Sequence, residues 1–265
     1  MKNILLLVHD DTGQEARLQA ALDLTRAFSG HLRCIDVVAM PALVGDEYSG
    51  AAGAMILADE RDRESANKKA VTARLAQEDI AWDWTDATGA IADSVTAAAA
   101  LSDMIVLNRK LDAFPYPDMH DIASRILMKA RKPVLAVPDT LERLTLDRAL
   151  VAWDGQASSA ATMQACVPLL ALAKEVEIFM TRDGNECTEP TEAAEYLSRH
   201  GIHASVKIID DGLHAADRLI AEEAERWRAD YIVMGAYSHG RLMEAFGGVT
   251  KRMLAKSTLP LVLGH

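Results

Sequence analysis

Two stretches of this chain, 127 positions apart, follow one pattern. Residues 123–133 read ASRILMKARKP and residues 250–260 read TKRMLAKSTLP. Arg125, Leu127, Lys129 and Pro133 fall on Arg252, Leu254, Lys256 and Pro260. The same spacing lays Asp103-Met104-Ile105-Val106 on Asp230-Tyr231-Ile232-Val233. A short apolar run closes each stretch, Val134–Val137 and Leu261–Gly264. The starts of the halves also match, as apolar runs that end in Asp10 and in Asp154, here 144 positions apart. The difference between 144 and 127 leaves 17 extra residues in the middle of the first half. Residues 39–59, with Pro41, Gly45, Gly50 and Gly53, are the expected insertion. A repeat this long means that half the chain is the folding unit. With 265 residues there is room for two such units of ~130 residues each. The expected domains are 1–140 and 147–265, joined by a short polar link.

Each half alternates apolar runs with helical patterns. In the first, strands are expected at 3–8, 32–38, 80–84, 103–107 and 134–137, with helices at 14–28, 60–78, 90–101 and 119–130. In the second, strands are expected at 149–153, 176–181, 204–209, 230–234 and 261–263. Its helices are expected at 158–172, with Ser158 or Ser159 as N-cap, at 192–200, closed by Gly201, and at 214–228. A further helix opens near Gly248. Continuously apolar strands separated by amphipathic helices predict an α/β fold with parallel strands covered on both faces.

Composition narrows the classes of function. Lys plus Arg number 28 against 39 Asp plus Glu, a formal charge of −11. So acidic a chain is not expected to hold nucleic acid, which needs clustered cations. The apolar run Ile4 to Val8 is too short for a signal peptide, and no stretch approaches the ~20 apolar residues of a membrane span. Cys34, Cys166 and Cys187 form no CxxC pair, so neither a disulfide framework nor a cysteine zinc site is expected. A reduced cytoplasmic protein is the expectation.

Ligands of open parallel sheets bind past the carboxyl ends of the strands, where strand order reverses. Two strand ends of the second half carry suitable chemistry. One ends in Trp153-Asp154-Gly155, and an Asp there can accept bonds from ribose hydroxyls or a base amino group. The other ends in Met234-Gly235, followed by Ser238, His239 and Gly240 and then by Gly247, Gly248, Val249 and Thr250 at the last helix. Glycines before a helix let backbone N–H groups approach a phosphate. Glycine-rich turns after strands also arise for steric reasons alone.

The segment Tyr231 to Leu242, then Gly247-Gly248-Val249-Thr250, then Leu259 to Leu263, resembles the C-terminal signature of universal stress proteins. The whole chain resembles a tandem member, better matched in its second half. The resemblance implies two doubly wound domains of the adenine nucleotide alpha hydrolase-like type. Each would hold a five-stranded parallel sheet in the order 3-2-1-4-5. It implies pairing through the fifth strands, here an intramolecular pseudo-dimer, and a homodimer of the whole chain is compatible with it. It also implies ATP or another adenine nucleotide as ligand, with Mg as the accompanying ion, in a stress-response or signalling role.

The nucleotide-binding subclass carries G-x2-G-x9-G-[S/T]. Gly235 and Gly247 match the first and third glycines, Ser238 stands at the second, and Gly248 replaces the hydroxyl residue. Asp154 matches the acidic nucleoside contact. In the first half Asn108 stands for Gly235, and the loop Asp112 to Asp118 holds Pro115 and Pro117 and no glycine, so a triphosphate is not expected there. Asp10 reads as a structural residue. The alternative reading is an interaction module with a vestigial phosphate site.

Other candidates read as structural. His200 and His203 flank a turn, Asp210 and Asp211 are expected to cap the helix that begins near His214, and Cys166 lies on an apolar helix face. No metal site is expected. No GxSxG, Walker-type GxxxxGK[ST] or SGGxDS-type pyrophosphatase loop occurs, so catalysis beyond slow ATP hydrolysis is not expected.

Overall fold

The computed structural model describes residues 1–39, 49–109, 119–182, 188–211, 213–236 and 248–265. The first half contributes strands β1 (Asn3–Val8), β2 (His31–Ala39), β3 (Ala81–Gly89), β4 (Met104–Asn108) and β5 (Val134–Val137). The second contributes β6 (Arg148–Trp153), β7 (Glu175–Thr181), β8 (Ala204–Ile209), β9 (Tyr231–Gly235) and β10 (Leu261–Gly264). All ten join one sheet in the order β3-β2-β1-β4-β5-β10-β9-β6-β7-β8. A five-stranded sheet was expected in each half, with pairing through the last strands, and the two runs of five strands join into one continuous ten-stranded sheet. The reason is the seam. Strand β10 runs antiparallel to β5, with Leu261 opposite Ala136, Val262 opposite Leu135 and Leu263 opposite Val134. The other pairings are parallel.

The central strands are apolar on both faces because both faces are covered. Along β1, Ile4, Leu6 and Val8 pack into one layer while Leu5 and Leu7 pack into the other. The first layer holds α1 (Gln14–Phe28), α2 (Ser49–Leu75), α5 (Ala157–Ala165), α6 (Val167–Leu170) and α7 (Pro190–Arg199). The second holds α3 (Ile91–Ala98), α4 (Met119–Ala130), α8 (Ala216–Trp227) and α9 (Gly248–Lys256). The outermost strands, β3 and β8, are only partly buried and carry charge, with Asp83 and Asp86 on one and Lys207 on the other. Charged side chains of this kind discourage further pairing at a sheet edge.

One arrangement recurs in both halves. Asp103 accepts the Asn3 backbone N–H at 2.9 Å, and its own N–H donates to the Asn3 carbonyl. Asp230 does the same with Arg148, at 2.8 Å from the side chain. These are the aspartates that the 127-residue spacing superimposes. Across the seam the Arg109 guanidinium reaches the Leu254 carbonyl of α9 at 3.2 Å. The link between the halves is docked, since the Leu144 N–H donates to Asp23 of α1 at 2.9 Å.

Several expected boundaries move. The helix expected at 60–78 is α2 and begins at Ser49, so part of the 39–59 insertion is helical, while 40–48 lie outside the described residues. The single helix expected at 158–172 is two, meeting at Cys166 just ahead of Pro168, whose missing N–H suits the first turn of α6. Neither Ser158 nor Ser159 caps α5. Gln156 holds the N-cap position without a side-chain bond, and Asp154 Oδ1 accepts the Gln156 N–H at 3.0 Å.

Candidate functional site

Strands β6 and β9 are neighbours, with Ala152 opposite Met234, and their chains leave in opposite directions. After β6 the chain enters α5 on one face, and after β9 it enters α9 on the other. This is the strand-order reversal at which a ligand crevice opens. Asp154 and Gly235 stand at its two lips, one residue past the paired Trp153 and at the end of β9. Asp154 is half-buried. Trp153 next to it is buried and donates its indole N–H to the Thr188 carbonyl at 2.9 Å.

Gly235 has a steric role. A Cβ there would lie 2.6 Å from the Ser159 backbone nitrogen and 2.9 Å from the Ser158 hydroxyl, so this strand end seats directly on α5. Gly248 opens α9, and among the described residues a Cβ there would meet the Arg252 guanidinium first, at 3.0 Å. That guanidinium is in turn held by Asp217 at 2.7 Å. Val249 is partly buried and Thr250 is buried in the same turn. Ser238, His239, Gly240 and Gly247 lie outside the described residues.

The matching place in the first half is filled. Asp11, not Asp10, is the counterpart of Asp154. Asp11 Oδ1 accepts the N–H of Gly13, the residue before α1, just as Asp154 accepts that of Gln156 before α5. The Asp11 carboxylate is gripped by Arg17 at 3.0 and 3.1 Å. Arg17 is fully buried and also donates to the carbonyls of Leu7 and His9. Burial lowers the pKa of this guanidinium and Asp11 opposes the shift. The position of Arg17 in the second half is taken by Ala160. Asn108, at the end of β4, abuts Gly13 so closely that a Cβ on Gly13 would fall 1.3 Å from Asn108 Nδ2. Residues 112–118 lie outside the described residues.

The first half holds a constellation that the sequence reading missed. His9 follows β1, and Glu60 and Glu64 lie one turn apart on α2. One ligand-type atom from each of the three lies within 4.8 Å of the others. His9 Nδ1 is 2.8 Å from Glu64 Oε1, and both side chains are buried. Burial alone would lower the His9 pKa, but Glu64 and then Asp11 and Glu60 raise it overall. Burial pushes Glu64 up, and His9, the Asp10 N–H and Asn67 bring it below its usual value. On β2, Asp36 is buried, and burial with Glu64 and Asp86 nearby pushes its carboxyl up to about 7. The available signal was His9 at a strand end together with Glu60-x3-Glu64 on a helix.

The remaining candidates are structural. His200 is exposed and packs on Tyr196, ring centroids 4.9 Å apart, and His203 is exposed. Asp211 does not cap α8; it accepts the N–H groups of Leu213 and His214 ahead of that helix. Cys34 and Cys166 are free and buried, and burial pushes each thiol up to about 12. Cys187 lies outside the described residues.

A universal stress protein from Archaeoglobus fulgidus superposes with a TM-score of 0.72 at 16% identity, over 99% of this chain and 95% of that one. The fold is that of the universal stress proteins. A second protein of this kind, a putative universal stress protein from Pseudomonas aeruginosa, gives 0.61 at 16% identity, over 100% and 93%. A protein of unknown function from the same organism gives 0.62 at 15%, over 100% and 92%. No family model and no curated protein matches the sequence. At these identities the likeness is one of fold. Among the described residues no helix is long and apolar enough to cross a membrane.

Proposed function

We propose that this chain is a tandem universal stress protein that binds one adenine nucleotide, ATP or a relative, in its second half. The observation that carries the reading is the strand-order reversal between β6 and β9. Asp154 stands at this reversal with Ala160 where the first half places Arg17. A carboxylate that no guanidinium covers among the described residues can accept hydrogen bonds from a ribose or an adenine amino group. The start of α9 supplies N–H groups for phosphate, with Mg as the accompanying ion. The filled joint at Asp11, Arg17 and Asn108 supports a single site per chain. The β5–β10 seam reads as the intramolecular version of a dimer of single domains. Nucleotide occupancy then acts as a signal rather than as the start of a dedicated reaction, and the cytoplasm is the compartment that fits such a ligand.

Mass spectrometry of the denatured purified protein should release an adenine nucleotide, and calorimetric titration should give at most one site. Asp154→Ala should weaken adenosine, AMP and ATP alike, by about 1.5–3 kcal/mol for a bond to a charged group. Gly248→Val should weaken ATP more than adenosine, and Gly248→Ser should be tolerated. Two equivalent sites, or unchanged affinities in folded Asp154→Ala, would refute the placement.

A second reading rests on Gly235. Its contact with α5 accounts for that glycine without a ligand, as expected of an interaction module whose phosphate site is vestigial. That reading wins if the wild type binds none of the three ligands at millimolar concentration.

A further inference from the structure

The first half carries its own ligand chemistry at the carboxyl ends of β1 and β2. We infer that His9, Glu60 and Glu64 form a site for a borderline divalent cation such as zinc.

Four observations support this. The donor set is one imidazole nitrogen with carboxylate oxygens, which suits zinc and its neighbours better than magnesium or calcium. The three donor atoms already lie within 4.8 Å of one another, and the His9–Glu64 pair is at 2.8 Å. The edge of a tetrahedron around zinc is about 3.3 Å, within the 4.8 Å that bounds the three atoms, and Glu60 is the least buried of the three. Two buried polar atoms here lack an aligned hydrogen-bond partner. One is His9 Nδ1, which meets Glu64 at short range but off the hydrogen-bond line, and the other is Asp36 Oδ1. Asp36 is 4% exposed, and its register partner on β1 is Val8, the residue before His9. A buried polar atom without an aligned partner is costly and calls for one.

The surroundings are those of an oriented ligand. The Asp10 N–H donates to Glu64 Oε1 at 3.3 Å, and Asn67 Nδ2 donates to Glu64 Oε2 at 3.3 Å. Asn67 is itself held by a reciprocal pair of bonds with Gln14, each at 2.7 Å. Outer partners of this kind fix a metal-binding carboxylate. One cation competes for the site. Arg63 reaches Glu60 at 2.7 Å and Glu64 at 3.8 Å, and its guanidinium must release Glu60 before a metal can use it.

The test uses the full chain stripped with EDTA and titrated, without nucleotide, with Zn2+ alone and with Mg2+ alone. One equivalent of Zn2+ should bind and raise Tm, since a ligand of the native state alone stabilises it. Mg2+ should bind at least tenfold more weakly. His9→Ala and Glu64→Gln should each lose at least tenfold in Zn2+ affinity, and Asn67→Ala about tenfold. Arg63→Ala should bind Zn2+ more tightly, which a purely structural His9–Glu64 pair would not produce. A His200→Ala/His203→Ala variant should bind as wild type does, which separates this site from surface histidines. The inference is overturned by absence of stoichiometric Zn2+ binding, by equal affinity for Mg2+, or by wild-type affinity in folded His9→Ala. If His9→Ala fails to fold, the wild-type titration and Arg63→Ala decide, and unchanged affinity in Arg63→Ala overturns it. The nucleotide assignment is untouched by any of these outcomes, because it concerns the other half.

Discussion

Gly235 and Gly248 look alike in the sequence, as glycines flanking one loop, and the structure separates them. A methyl group on Gly235 would press against the backbone of Ser159 at 2.6 Å, an atom that cannot turn away. A methyl group on Gly248 would press against the tip of Arg252, which can. Gly235→Ala should therefore cost about 1–3 kcal/mol through overpacking. Gly248→Ala should be neutral or mildly stabilising, because alanine favours a helix over glycine by up to ~1 kcal/mol. Urea unfolding of both variants checks this, and equal stabilities would show that the seat of β9 on α5 is not tight. The same logic explains why the two halves diverge at one joint. Gly13 makes room for Asn108 in the first half, while Gly235 makes room for α5 in the second. Asp154 as the strand-end acid was legible in the sequence, because it directly follows an apolar run. Its counterpart was misread as Asp10. The apolar run ends at Val8 and three polar residues follow, so spacing alone could not tell which aspartate turns back to the helix.

At the scale of elements, central strands were the most legible, since burial on both faces demands continuous apolar runs. Helix α2 was less so. Its first turns contain Gly50 and Gly53, which read as loop, yet it runs from Ser49 to Leu75. The His9, Glu60 and Glu64 cluster was invisible for a related reason. About fifty residues and the whole of β2 separate its members, and two glutamates one turn apart resemble a solvated helix face. Between β7, β8 and α8 lies another polar junction, in which the buried Glu177 and Glu223 meet the partly buried Lys207 and the exposed Arg226. Lys207 and Arg226 both pair with Glu223, which they hold below the usual range against its burial. Burial, and then Glu223, push Glu177 up from 4.5 to about 7. The native state thus holds a proton on Glu177 that the unfolded chain releases near 4.5. This contribution to stability is complete below the unfolded value and is lost as pH rises through about 7. Glu177→Gln keeps a donor for Glu223 without the charge. Its Tm should exceed that of the wild type at pH 8 and match it near pH 4. An advantage that is the same at both pH values would mean that Glu177 does not titrate in this window.

For the whole molecule, the seam decides whether the halves behave as one body. Leu261, Val262 and Leu263 are buried against Val134, Leu135 and Ala136, and Arg109 bridges to α9. Separating the halves would expose two apolar strand edges at once, an arrangement that proteins avoid. The two halves should therefore unfold together. The tryptophans make this measurable, because Trp82 and Trp84 lie in the first half and Trp153 and Trp227 in the second. Replacing either pair by Phe leaves fluorescence that reports on one half only. In the otherwise unaltered chain the two reporters should give coincident denaturant transitions, as a cooperative unit requires. Leu135→Ala with Val262→Ala removes facing side chains from one layer of the seam. Truncating a buried aliphatic residue costs several kcal/mol, about 2–5 for Leu→Ala. Because these residues also belong to the cores of their own halves, both midpoints should fall. They should also part from each other, because the shared edge no longer couples the halves. Midpoints that fall yet stay coincident would show that contacts other than the β5–β10 pairing hold the halves together.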